Sequence, residues 1–128
     1  MTLDVFLESA GMFDRDAVET ALAANGLGPE ATLETPDGGS AEVSLDDDSC
    51  GIFIQTLTPQ VAYVVFDVAR RAHLAILPVD GTPTAIVVDE VEAPDELEPL
   101  RARTPTQVCE ALRQSVTRRQ EAHGARSA

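Results

Sequence analysis

The chain contains no Lys and no Trp, and its only aromatic side chains are one Tyr and four Phe. So few rings supply no base-stacking platform for single-stranded nucleic acid. Without Lys, all fixed positive charge rests on nine Arg against 22 acids, a formal net charge of −13. Such a body repels phosphate backbones and anionic lipid, both of which need a basic surface to hold them. A basic protein partner is instead steered in. The asymmetry is local as well: residues 1–100 hold 20 of the acids and only 3 of the Arg, so the basic part is the C-terminal stretch.

Cysteine is equally scarce. Cys50 and Cys109 are too few to build a disulfide framework, and 128 residues can bury roughly two thirds of the unfolded surface in one core without staples. Met1-Thr2-Leu3-Asp4-Val5 has no basic segment leading into an apolar run, so no signal peptide is expected. Cytoplasmic residence and free thiols follow as expectations. The chain divides into a single α+β domain over 1–116 and a polar, basic, frayed tail over 117–128.

The motifs of common chemistries are missing too. No P-loop, G-x-G-x-x-G or G-x-S-x-G occurs. Cys50, His73, Cys109 and His123 hold the atoms of a zinc site or a Cys-His pair, but none stands at the short spacing that closes a structural zinc ring. Asp46-Asp47-Asp48-Ser49-Cys50-Gly51 opens like a calcium loop, then fails at Cys50 in position five and at Leu57 in position twelve, where a bidentate Glu is required. No metal, cofactor or catalytic residue is therefore assigned. Carboxylates are abundant, but most stand among turn formers where they are solvated, and none is singled out for acid-base work.

What is present is one nearly uninterrupted apolar stretch from Gly51 to Glu90. Gly51 to Leu57 has the β-branched and aromatic content of a strand buried on both faces, or nearly so. Thr58-Pro59 supplies an N-cap and an N1 proline, and Val61, Val64, Val65, Val68 and Ala72 continue at helical spacing, with Tyr63 and Phe66 widening the apolar arc. Asp67 stands three and four residues before Arg70 and Arg71, in reach of an intrahelical ion pair. Leu74 to Val79 and Thr84 to Val88 flank Asp80-Gly81 as a hairpin, with Pro78 and Pro83 placing part of it at an edge or a bulge.

Around this core the spacing of Leu3, Phe6, Leu7 and Ala10 predicts a helix, broken at Gly11 and resumed behind Asp14 with Ala17, Val18, Ala21 and Leu22. Ala31 to Thr35 and Ala41 to Leu45 read as strands joined through Pro36-Asp37-Gly38-Gly39-Ser40. Asp89 to Pro99 reads as an acidic loop with one helical turn. Thr104-Pro105-Thr106-Gln107 opens a last helix with a capping box, its core side at Val108, Ala111, Leu112 and Ser115 or Val116. The order is α-βββ-α-ββ-α, an α+β fold with a five-stranded antiparallel or mixed sheet and helices packed on it.

Element order, length, low pI and charge resemble the small acidic chaperones of type III secretion systems, which are homodimers that wrap a disordered effector segment. The Leu-rich strands of that family are replaced here by Ile and Val. Small size, acidity and the lack of catalytic motifs are also similar to the immunity proteins of bacterial toxin systems. That likeness implies a non-enzymatic module that occludes a basic toxin, and it is placed ahead of the chaperone. The acids expected to grip the partner are Asp46, Asp47 and Asp48, and Asp89, Glu90, Glu92, Asp95, Glu96 and Glu98. An enzyme of another family is the alternative of a different class, to be recognised by a deep pocket with convergent polar groups.

Overall fold

The computed structural model describes residues 2–89 and 91–127, with the backbone alone from 120 onward. At its centre stands β1 (Leu3–Glu8), the segment expected to be helical. Leu3, Val5 and Leu7 are buried and alternate with half-buried Asp4, Phe6 and Glu8. The same residues satisfy a helical spacing through Phe6 and a strand spacing through Val5, and over so short a run periodicity alone does not decide. The neighbours decide. Leu3, Val5 and Leu7 lie opposite Ile54, Ile52 and Cys50 of β4 (Cys50–Thr56), and Leu7 lies opposite Ile76 of β5 (Ala75–Pro78).

The sheet has seven strands, not five, in the order β2-β3-β4-β1-β5-β6-β7. The remaining strands are β2 (Glu30–Glu34), β3 (Ser40–Leu45), β6 (Thr84–Val88) and β7 (Glu98–Ala102). All neighbours are antiparallel except β6 and β7, which makes the sheet mixed. β7 is the second strand missing from the sequence reading. It carries Pro99 and the charged Glu98 and Arg101, and four of its five residues are exposed, because an edge strand buries little and can accommodate a residue without an N–H.

Two parallel neighbours need a crossover, and here the acidic segment between β6 and β7 provides it. Its Val91 is buried, and Ala93 and Leu97 pack on the core. Glu92, Asp95 and Glu96 point to solvent. Ile86 lies opposite Ile76 on the helix side of the sheet, yet Ala85 and Val87 on either side of Ile86 in the chain are also fully buried. β6 is thus covered on both sides.

The helices are α1 (Arg15–Ala23), α2 (Pro59–Ala72) and α3 (Pro105–Ser127), with α2 packed between the other two. Their starts follow the sequence signals. Asp14 accepts the Ala17 N–H, Thr58 the Val61 N–H ahead of Pro59 at the start of the helix, and Thr104 the Gln107 N–H. The Gln107 side chain reaches back to the N–H of Arg103, one residue beyond the expected Thr104. In α2, Val61, Val65 and Val68 are fully buried while Tyr63 remains half exposed. His73 ends α2 in the left-handed region, φ 54°, and its N–H bonds to the Ala69 carbonyl.

Three polar contacts tie neighbouring elements together. Asp67 is buried and accepts from Arg70 at 3.0 Å, Arg71 at 2.7 Å and the Asn25 amide at the end of α1 at 3.0 Å. Burial pushes its carboxyl up, but these hydrogen bonds together outweigh burial and hold it below its usual 3.8. Asp80, at the β5–β6 turn, receives Arg118 of α3. The β2–β3 turn seats Gly39 against the start of α2, where Asp37 also accepts the Gln60 N–H at 3.1 Å. Among the described residues, no helix is long and apolar enough to cross a membrane.

Candidate functional site

α2 contacts β5, β6 and both other helices, and β1, β3 and β4 bury the side chains of one parity, so the helices cover that side and the opposite side of β2, β3, β4, β1 and β5 is the surface from which a site can be built. Strand parity sends Asp4, Phe6 and Glu8 of β1 to that side, and register places their neighbours beside them. Phe53 of β4 sits directly between two acids, Glu42 of β3 and Asp4 of β1. In the next row Phe6 lies between Gly51 of β4 and Leu77 of β5, and Ser44 lies beyond Gly51.

The two phenylalanines meet edge to face, with ring centres 6.0 Å apart and planes at 83°. Gly51 makes this geometry available. A Cβ at that position would stand 2.8 Å from Cζ of Phe53, so the ring lies over bare backbone. Phe6, Phe53 and Leu77 are all half-buried, which keeps an apolar centre within reach of a partner while part of each ring is already shielded. Leu97 of the crossover lines the same depression as Phe6, Glu8 and Leu77 and so closes one flank of the face.

The charge around this centre is uncompensated. Asp4, Glu8, Glu30 and Glu42 form no ion pair with any described Arg, whereas Arg15, Arg70, Arg71 and Arg118 are paired with carboxylates elsewhere. An apolar centre flanked by unpaired acids can desolvate an apolar anchor and hold cationic side chains around it.

The acids chosen from the sequence lie around this face rather than on it. Asp46, Asp47 and Asp48 are exposed in the β3–β4 turn, which closes through the Asp46 N–H to the Ser49 carbonyl, and Asp47 pairs with Arg15 at 2.7 Å. Asp89 follows β6 with φ 49°, and its carbonyl accepts from the Arg101 guanidinium. Strand directions place Asp46 and Asp89 at the same end of the sheet, separated laterally by β4, β1 and β5. Glu92, Asp95 and Glu96 are exposed on the crossover, Glu98 begins β7, and Glu90 lies outside the described residues. The two acidic segments therefore do not converge on one point.

Sequence reasoning missed Asp4, Phe6, Glu8 and Phe53 as site residues. The signal was the alternation of Asp4, Phe6 and Glu8 with Leu3, Val5 and Leu7, which also fits a helix.

Cys50 and Cys109 are free and buried. Burial, helped by the charge of Asp46, pushes the Cys50 thiol up to about 11, and burial also raises Cys109. Neither offers a thiolate at neutral pH. Among the described residues, no three His, Cys, Asp or Glu side chains gather to hold a metal ion. No protein-family model, curated protein or solved structure matches the chain.

Proposed function

We propose that this chain is a non-enzymatic protein-binding module whose open sheet face covers a basic surface of a partner, as an immunity protein covers a toxin. The observation that carries this reading is the row Glu42, Phe53, Asp4, an aromatic held between two acids that have no described cation partner. An apolar anchor of the partner would rest on Phe53 and Phe6, and its Lys or Arg side chains on Asp4, Glu8 and Glu42. Inhibition would follow from occlusion. The exposed acids of the β3–β4 turn and the crossover would attract the partner from a distance and contribute little once it is seated.

A chaperone for an extended effector segment is the second reading, and the outer edge of β2, to which no described residue bonds, favours it. It shares the preference for a basic partner and differs in the partner's conformation, extended rather than folded.

The division between steering and seating gives a kinetic test with the captured partner on a sensor surface. Replacing Asp46, Asp47 and Asp48 by Asn should lower the association rate severalfold at low salt and flatten its salt dependence, leaving dissociation unchanged. Replacing Phe53 by Ala should raise the dissociation rate by about tenfold or more with little change in association. Unchanged kinetics in both variants would remove the assignment.

A further inference from the structure

The two edges of the sheet are built differently. In β7 the Glu98 N–H bonds inward to the Pro83 carbonyl at 2.7 Å, so parity turns Pro99, Arg101 and Arg103 outward. Pro99 has no N–H, and that of Arg103 is taken by the Gln107 side chain at 2.6 Å. This edge offers an incoming strand almost no donors, a common protection against strand addition.

The β2 edge has no such protection. The Thr35 N–H bonds inward to the Gly39 carbonyl at 3.0 Å, and the Pro29 carbonyl accepts inward from Leu45 at 2.8 Å. Parity between these fixed ends turns the backbone groups of Glu30, Thr32 and Glu34 outward, and no described residue bonds to them. The strand contains no Pro, and Glu30, Thr32 and Glu34 are exposed.

We infer that β2 is a docking edge for an extended segment of a partner protein that carries basic residues at both ends of a five-residue stretch. This rests on the basic-partner reading above and specifies how part of such a partner binds. In antiparallel pairing centred on Thr32, the added strand places its end residues opposite Glu30 and Glu34, where Lys or Arg is matched. It places its second and fourth residues beside Ala31 and Leu33, half-buried and buried on the helix side, where Val or Ile is matched. The fitting pattern is basic, apolar, small, apolar, basic.

The same register explains why a second copy of this chain is not the occupant. Pairing β2 with itself puts Glu30 of one copy opposite Glu34 of the other, twice, and like charges directly opposite oppose pairing. The acids therefore reject self-association and select a cationic strand.

The test is NMR titration of the full chain with an end-capped peptide Lys-Val-Thr-Val-Lys. Saturable shifts and slowed amide exchange at Glu30, Thr32 and Glu34 are expected. Binding should weaken at least tenfold for a peptide N-methylated at the amides that face β2, which keeps the charge and removes the donors. Thr32→Pro, whose lost N–H faces outward, should weaken it similarly.

A neutral Thr-Val-Thr-Val-Thr peptide separates the two readings. If it adds to the edge as well as the Lys peptide does, strand addition stands and the charge-based reading falls. If the Lys peptide instead shifts only Phe6, Phe53 and Leu77, or binds equally when N-methylated, strand addition is overturned and the basic-partner reading survives. A Glu30→Lys chain, in which Lys meets Glu34 across the two-fold, should form a concentration-dependent dimer by sedimentation where the wild type does not. A monomer at all concentrations would count against an open edge.

Discussion

Replacing Asp80 by Ala should destabilise the fold by about 3 kcal/mol, toward the low end of what breaking a buried ion pair costs. The Asp80 side chain is fully buried, and one of its oxygens takes both Nε and Nη2 of Arg118, at 3.0 and 2.8 Å. The other takes the N–H and hydroxyl of Thr82. Removing the carboxylate leaves the Thr82 N–H unmatched and takes from the Arg118 guanidinium its charged partner, leaving its bond to Ser115 Oγ at 3.1 Å. Arg118 retains 38% exposure and can turn to water, which limits the loss. Because the two residues act as a unit, Asp80→Ala combined with Arg118→Ala should cost less than the sum of the single changes in urea unfolding. Additive losses would show that the pair does not hold α3.

The same carboxyl sets a pH dependence. Burial pushes Asp80 up, but the hydrogen bonds from Thr82 and Arg118 outweigh it and hold the group below 3.8. Asp67 is depressed in the same direction. A depressed folded pKa contributes stability that is fully present above the unfolded value and is lost as pH falls through the folded one. Stability should therefore be level near neutrality and fall as pH drops below about 4, with a shallower fall in Asp80→Ala.

Gly39→Ala should cost about 2–3 kcal/mol, through crowding rather than through backbone conformation. A Cβ there would stand 2.3 Å from Oγ1 of Thr58, 2.4 Å from Cγ2 of Val61 and 2.5 Å from Oγ1 of Thr35. The turn would have to leave the start of α2. With it would go the Asp37 contact to Gln60 and the fixed position of the Thr58 cap. Gly28→Ala is the control: a Cβ there meets nothing within 4 Å, so the change should stay within about 0.5 kcal/mol. Equal unfolding midpoints for the two variants would contradict this packing.

The helices were legible because their signals are local. Asp14, Thr58 with Pro59, and Thr104 with Gln107 each satisfy N–H groups within four residues, and the apolar faces that follow are long enough to fix the period. The sheet was less legible because its two missing strands depend on distant partners. Leu3 to Glu8 becomes a strand through Ile52, Ile54 and Ile76, and Glu98 to Ala102 through β6, with little in its own composition to announce it. The candidate site suffered the same way. The acids of Asp46–Asp48 and the crossover are dense in sequence, while the acids beside Phe53 are single residues brought together only by register.

Binding of a basic protein by the acidic, aromatic sheet face is tested by affinity capture from the native lysate on the wild-type chain and on a chain with Asp4, Glu8 and Glu42 all changed to Lys, each washed at moderate and high salt. One predominant basic protein, held by the wild type at moderate salt, released at high salt and absent from the charge-reversed chain, is the predicted result. The same protein on both chains, or retention indifferent to salt, would contradict it.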